Sequence, residues 1–285
     1  MIWDFDYASI GSITTLLEDN GLSMTKKFGQ NFLISMPSLE RIVSLAGITE
    51  GTRVWEVGPG IGALTTKLLK AGARVTAFEI DHGFCRILRE QAYHDCPSFR
   101  LVEGDALKTW KDVFQSEGAP DVICANLPYN VGSVLIASFI ESRCLPKRMV
   151  YTLQSEVVQR ICAKKGDDEW GGFSILTSAD YDNREAMKLK AGCFYPMPNV
   201  DSSVVVMEKK AVPFVEDDFA KRYFDFVRAA FSQRRKTLKN NLKSIGISSD
   251  AADKALSDLG KNLSARAEEL DAQELLKLCR SVYQI

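Results

Sequence analysis

The stretch from Arg53 to Leu64 constrains the fold of this 285-residue chain more than any other. Arg53-Val54-Trp55-Glu56-Val57 has the apolar, β-branched character of a buried strand and runs straight into Gly58-Pro59-Gly60-Ile61-Gly62-Ala63-Leu64. Glycines there permit a tight turn and a close backbone approach to a ligand. The helix predicted over 62–71 points its unpaired N–H groups at the same turn. A second strand, Arg74–Glu79, sets the acidic Glu79 at a strand end, 21 residues beyond Gly58. Strand, glycine turn, helix and acidic strand end, in that order, make a βαβ unit suited to a ribose-bearing ligand.

The alternation continues from about 38 to 155. Further strands are predicted at 99–102, 121–125 and 148–153, with helices over 83–92 and 131–142. This spacing implies an α/β fold, a mostly parallel Rossmann-like sheet covered on both faces. Right-handed crossovers then align the strand carboxyl ends along one edge. Residues 184–190 and 202–209 read as two more strands around Pro196-Met197-Pro198, forming an antiparallel edge. Beyond Val212-Pro213 only helical periodicity remains, over 217–231, 234–244, 249–258 and 271–283. The expected organisation is a domain over 1–213 and a smaller all-helical domain over 214–285. Within the first, residues 1–24 form an extension, a leader helix with Ile13, Leu16 and Leu17 on one face.

Composition narrows the function classes. Apolar residues are 46% and charged residues 26% of the chain, which excludes a disordered or collagen-like polymer. Seven cysteines, an odd number with no Cys-x-x-Cys pair, suggest neither a disulfide framework nor a zinc site. Reduced thiols point to the cytoplasm, and no apolar run has the length of a membrane span. The first residues lack the basic start and apolar core of a signal peptide. With two histidines, His82 and His94, a catalytic triad or histidine metal centre is poorly supplied. The net charge of −1, taken alone, argues against a nucleic-acid partner. It conceals a segment, 221–243, that carries +7 against −8 for the remainder. Clustered Lys and Arg on helices are what phosphate contacts require; Arg228, Arg234, Arg235 and Lys236 are the candidates. Phe224, Val227 and Phe231, at helical spacing in the same segment, read as core.

Glycine loop and Glu79 alone fit either a dinucleotide or S-adenosylmethionine. Two acids favour the latter. Glu56, just before the first glycine, would repel a pyrophosphate but can meet an ammonium group. Asp105, in Gly104-Asp105-Ala106 after the third strand, stands where an adenine amine could donate to it. Asn126-Leu127-Pro128-Tyr129 then follows the fourth strand. An adenine N6 amine is a poor nucleophile because its lone pair is delocalised. An Asn oxygen and a proline-adjacent carbonyl, accepting both its N–H bonds, would free that lone pair for attack on a sulfonium methyl. Tyr129 could stack on a base swung out of its helix. Catalysis would be positioning and electrostatics, without a metal.

At these residues the sequence resembles the ribosomal RNA adenine N6,N6-dimethyltransferase family, in the small-subunit (16S) branch whose loss confers kasugamycin resistance. The resemblance includes Lys27-Phe28-Gly29-Gln30-Asn31-Phe32-Leu33, the Glu56–Gly60 loop, Glu79-Ile80-Asp81, Gly104-Asp105-Ala106 and Asn126-Leu127-Pro128-Tyr129-Asn130. It extends through Phe194-Tyr195-Pro196-Met197-Pro198-Asn199-Val200-Asp201-Ser202-Ser203-Val204 and Phe231-Ser232-Gln233-Arg234-Arg235-Lys236-Thr237-Leu238. It implies that Asn31 and Leu33 line a cofactor entrance, and that Gly58, with Gly60, contacts the methionine part. Glu79 would take the ribose, Asp105 the adenine, and Asn126 both cofactor and target amine. Phe194 would be either a second aromatic face for the base or a core residue. The implied substrate is a pair of adjacent adenosines in the 3′-terminal hairpin of 16S rRNA, within the assembling 30S subunit, and the enzyme is expected to be monomeric. Two stretches depart from the family pattern: residues 1–24, and Lys164–Gly172 with its Asp167-Asp168-Glu169. Alternatives are a 23S rRNA methyltransferase of the antibiotic-resistance type, a DNA adenine methyltransferase, and a non-catalytic RNA-binding assembly factor.

Overall fold

The structure is a computed structural model that describes residues 2–22 and 31–284, so Lys27–Gln30 of the basic loop lie outside the described residues. Its contacts divide the chain into two units. One contains Met1–Ser138, Cys144–Val158 and Arg184–Lys209; the other contains Phe139–Arg143, Gln159–Asn183 and Lys210–Ile285.

The first unit opens with α1 (Ile10–Asp19), β1 (Phe32–Leu33) and α2 (Met36–Ala46). There follow β2 (Arg53–Val57), α3 (Ala63–Lys70), β3 (Arg74–Glu79), α4 (His82–Ile87), β4 (Phe99–Glu103) and α5 (Ala106–Glu117). Next come β5 (Val122–Asn126), α6 (Gly132–Glu141), β6 (Arg148–Gln154) and α7 (Ser155–Cys162), the last two helices ending in the second unit. Beyond α8 (Gly172–Asp180) the chain adds β7 (Tyr181–Leu189), β8 (Phe194–Tyr195) and β9 (Ser202–Lys209). The main sheet has the order β4-β3-β2-β5-β6-β9-β7. Pairings from β4 to β6 are parallel, with Val54 opposite Val75 on one side and Val122 on the other. Strand β9 runs antiparallel to β6, Val204 facing Thr152. This is the expected Rossmann-like arrangement. The order reverses between β2 and β5, and the crevice at such a reversal is where ligands bind.

Local chemistry accounts for the boundaries. The Asp105 side chain accepts from the Leu107 N–H and starts α5. Asp81 does the same for α4 through Gly83 and Phe84. The helix expected over 83–92 is α4 followed by one π turn, Leu88–Ala92. The leader helix is confined to Ile10–Asp19, with Ile13, Leu16 and Leu17 buried as its periodicity required. Strand β9 is buried along most of its length because it is flanked on both sides, so of the two strands expected at the antiparallel edge only β7 lies there. The pairing of β1 with β8 was not foreseen; at two residues each, these strands carry no periodicity.

The second unit comprises α9 (Asp217–Ala230), α10 (Leu238–Leu242), α11 (Ser249–Asp258) and α12 (Ala272–Tyr283), together with α8. The single boundary expected at 213/214 therefore splits what contacts join: α8 groups with helices that follow it by forty residues. A side chain at Gly172 would meet the Phe231 Cβ at 3.3 Å, so α8 and the end of α9 approach closely. Arg143 ties the same elements, donating from Nη1 to Asp180 at 2.5 Å and from Nε to Asp217 at 2.6 Å. Asp180 is 2% exposed. Losing one member of such a buried pair costs about 3–5 kcal/mol. The Trp170 indole donates to the Leu270 carbonyl at 3.2 Å, anchoring the 164–172 segment to the chain before α12. The helix expected over 234–244 starts only at Leu238, because residues 232–236 form a turn held by Asn241, whose Nδ2 donates to the carbonyls of Ala230 and Gln233.

Candidate active site

A cavity of about 320 Å³ opens at the carboxyl edge of the sheet, over the β2/β5 reversal. That volume suits a small-molecule site. It is lined by residues from β1, the glycine turn, and the ends of β3, β4 and β5. Asn31, Leu33, Glu56, Gly58, Gly60, Glu79, Asp105, Asn126, Leu127, Pro128 and Tyr129 all face it.

The glycine turn is shaped for backbone contact. At Gly60, where φ is +58°, a Cβ would lie 2.9 Å from the Phe32 ring. Only glycine gives both the backbone angle and the clearance. Its N–H donates to Glu79 Oε2 at 3.1 Å, while Glu79 Oε1 accepts from the N–H groups of Ile80 and Asp81. Glu79 is 5% exposed, and burial raises its pKa against those three donors. Glu56 is 1% exposed and accepts from the Thr65 hydroxyl at 2.7 Å. Burial pushes its carboxyl up to about 8, with the neighbouring Glu79 charge adding to the effect. Among the described residues neither carboxylate has a basic partner. Buried carboxylates without a counter-ion are costly, and a cationic ligand in the cavity would relieve both. Asp105 spends Oδ1 on its helix cap, and among the described residues no protein donor meets Oδ2.

The turn after β5 supplies acceptors. Asn126 Nδ2 donates to the Asn31 carbonyl at 3.1 Å. A carbonyl can only accept, so the amide orientation is fixed and Oδ1 is left for another donor. The Pro128 carbonyl already accepts from the N–H groups of Val131 and Gly132. The proline-adjacent carbonyl with no backbone donor is that of Leu127, whose own N–H is spent on Thr152. Tyr129 is half-buried, its hydroxyl 2.7 Å from Ser202 Oγ, and burial raises its pKa. Such a ring presents a face while its hydroxyl holds it to β9.

Phe194 follows the core alternative of its two readings. It is 3% exposed, pairs with Leu33 across the β1–β8 ladder, and does not line the cavity. Ile80 also lines the cavity, although the sequence named it only within Glu79-Ile80-Asp81 and gave it no role. The signal available was an apolar residue directly after an acidic strand end; in the structure it is 43% exposed.

The basic segment is more neutral than its composition suggests. Arg228 pairs with Asp225 and Glu141, Arg234 with Glu268, and Lys239 with Asp253. Glu141, Glu268 and Asp253 lie outside 221–243 and bring its +7 down to +4 locally. Arg235 and Lys236 are exposed and form no ion pair among the described residues. Phe224 and Val227 are buried, in keeping with a core role.

Comparison with known proteins places this geometry. A family model described as "Ribosomal RNA adenine dimethylase" matches residues 21–283. The chain is 41% identical over 278 residues to "Ribosomal RNA small subunit methyltransferase A" of Treponema denticola, covering 96% of this chain and 94% of that protein. It is 40% identical over 259 residues to the protein of the same name from Caulobacter vibrioides, covering 90% and 96%. Among solved structures, a dimethyladenosine transferase from Plasmodium falciparum superposes with a TM-score of 0.68 at 25% identity, covering 86% of this chain and 94% of the other. The 23S rRNA methyltransferase ErmE shares the fold, with a TM-score of 0.65 at 23% identity over 89% of this chain and all of that one.

Proposed function

The chain belongs to the ribosomal RNA adenine dimethylase family, and on that premise we propose that the cavity over β2 and β5 carries out N6 methylation of adenosines in small-subunit ribosomal RNA. The protein is an S-adenosylmethionine-dependent rRNA adenine dimethyltransferase. When bound, the cofactor supplies a sulfonium methyl group; the protein contributes position and charge. Glu79 would accept from the ribose hydroxyls, Asp105 Oδ2 from the adenine amine, and Glu56 would face the methionine ammonium. Gly58 and Gly60 let the backbone pass close beneath.

The observation that carries the reading is the Asn126 amide, whose Nδ2 is committed to the Asn31 carbonyl so that Oδ1 remains as an acceptor. With the Leu127 carbonyl it can take both N–H bonds of a target N6 amine. Each bond favours a nitrogen lone pair localised on that atom rather than spread into the ring. Tyr129 would hold the base by its face. No Lewis acid is needed for this activation, since the proton leaves after the methyl group has moved. We further take the substrate to be two adjacent adenosines in the 3′-terminal hairpin of 16S rRNA, presented by an assembling 30S subunit to a monomeric, cytoplasmic enzyme. Exposed Arg235 and Lys236 would contact phosphates. The names of the relatives support the small subunit over the large one.

A transfer assay with tritiated methyl donor tests the reading. Undermethylated small subunits should take up label, and large subunits and duplex DNA should not. Label absent from the small-subunit RNA would overturn it.

A further inference from the structure

We propose that Tyr7, in the amino-terminal extension, is a positioning residue for the cofactor loop, acting through a buried chain of hydroxyl groups that ends on the Gly62 carbonyl. The extension is docked, not loose. Trp3 and Phe5 stack at 4.6 Å, and Phe5 meets Tyr7 edge-on at 5.0 Å. Arg86 donates to the Asn20 carbonyl at 2.7 Å, and Gln91 to the Asn20 side chain at 2.8 Å. Tyr7 itself is 3% exposed.

Three contacts then run inward: Tyr7 Oη to Thr66 Oγ1 at 2.9 Å, Thr66 Oγ1 to Tyr93 Oη at 2.7 Å, and Tyr93 Oη to the Gly62 oxygen at 2.8 Å. Their direction follows from counting hydrogens. Gly62 offers a carbonyl, so Tyr93 must donate there. Tyr93 has one hydrogen, so Thr66 donates to Tyr93, and Tyr7 in turn donates to Thr66. Burial pushes the Tyr7 hydroxyl up to about 12 and raises that of Tyr93, so both keep their protons at working pH.

Gly62 is the residue that this chain grips. It sits at φ +91°, directly before α3, and a Cβ there would lie 2.4 Å from Tyr93 Oη. Its carbonyl accepts from Thr66 N–H as well as from Tyr93, and its N–H donates to Pro59. Both ends of its peptide environment are thereby fixed. Pro59, Gly60, Ala63 and Leu64 line the cavity on either side of it, whereas Gly62 does not. The loop is held from behind at Gly62 and offered to the ligand at Gly58 and Gly60. Residues 1–20 precede the span matched by the family model, so this hold comes from outside the shared motifs.

The inference rests on the glycine turn being the cofactor site. Calorimetric titration with S-adenosylmethionine, and kinetics on undermethylated small subunits, test it. Tyr7→Phe should raise the cofactor Kd and KM about threefold, within the range of one hydrogen bond, with kcat at saturating cofactor little changed. Thr66→Val, which breaks the chain at its centre, should raise both about tenfold, and Thr66→Ser should restore them. Ile13→Val, which trims buried packing of the extension without touching a hydroxyl, should lower the melting temperature and leave Kd as in the parent. Unchanged affinity in Tyr7→Phe and Thr66→Val would overturn the proposal. So would an equal loss in Ile13→Val, which would make the effect one of packing alone. Failure of the parent protein to bind the cofactor would instead overturn the reading of the cavity.

Discussion

The acids of the cavity and the bases of residues 221–243 are the two charged features of the chain, and their environments are opposite. Glu56 and Glu79 are buried, lack a basic partner among the described residues, and have raised pKa values. Arg228 and Arg234 are exposed and already face carboxylates of their own unit. A buried carboxylate without a partner is relieved by taking up a proton or by a ligand of opposite sign. A surface ion pair is worth little and commits its members to nothing. Fold-level strain therefore marks the cofactor site far more sharply than any count of charges marks the RNA surface.

If that contrast holds, the largest effects belong to single atoms in the cavity. Asn126→Ala removes the side-chain acceptor proposed to meet the target amine. Its kcat for methyl transfer should fall about 10²–10³-fold, the cost of deleting one oriented group at a reacting centre. Cofactor affinity should fall much less, since Asn126 shares that task with Glu56, Glu79 and Asp105. Single-turnover transfer alongside calorimetry separates the two. A rate near the parent value would break the comparison at its strongest point.

The same contrast explains what the sequence made legible. Gly58, Gly60, Glu79, Asp105 and Asn126 were found because backbone geometry ties them to strand ends, and strand ends are visible in short apolar runs. All of them line one cavity. Phe194 stayed open between two readings because its burial depends on the β1–β8 pairing, a contact between segments about 160 residues apart with no periodic signal. The charge of 221–243 was overestimated for a related reason. Glu141 and Glu268, which face Arg228 and Arg234, lie outside the segment and could not be paired with it by reading along the chain. Likewise α8 gave no hint of grouping with α9 until Gly172 and Arg143 showed where they meet.

A smaller effect, of opposite sign in two measurements, is expected at Glu56. Its carboxyl is pushed up to about 8 in the folded protein against an ordinary 4.5. The folded state thus binds the proton more tightly than the unfolded one. Stability is fully present below about pH 4.5 and is lost as pH rises toward 8. Glu56→Gln keeps an oxygen for the Thr65 hydroxyl and carries no charge at any pH. Without cofactor, it should melt higher than the parent at pH 8.5, by at least about 2–4 °C, the shift per kcal/mol for a domain of this size. At pH 4.5 the two should melt together. The same change should weaken cofactor binding about tenfold, the scale of one hydrogen bond to a charged group. A variant that was neither more stable at high pH nor weaker in binding would show that the cavity acids are not held in tension.

The smallest effects separate paired from unpaired bases. Each phosphate contact contributes a slope of about −0.7 to the dependence of log K on log salt for single strands. Replacing both Arg235 and Lys236 by Ala should flatten that slope by about 1.4 for an RNA hairpin. Replacing Arg228 and Arg234 removes as many charges from the sequence. Their carboxylate partners already occupy them, so the slope should change by less than half as much. Filter binding from low to moderate salt measures both variants against the parent. Equal flattening in the two would mean that the ion pairs to Glu141 and Glu268 open when RNA arrives, and that the +7 of the sequence describes the surface better than the +4 of the fold.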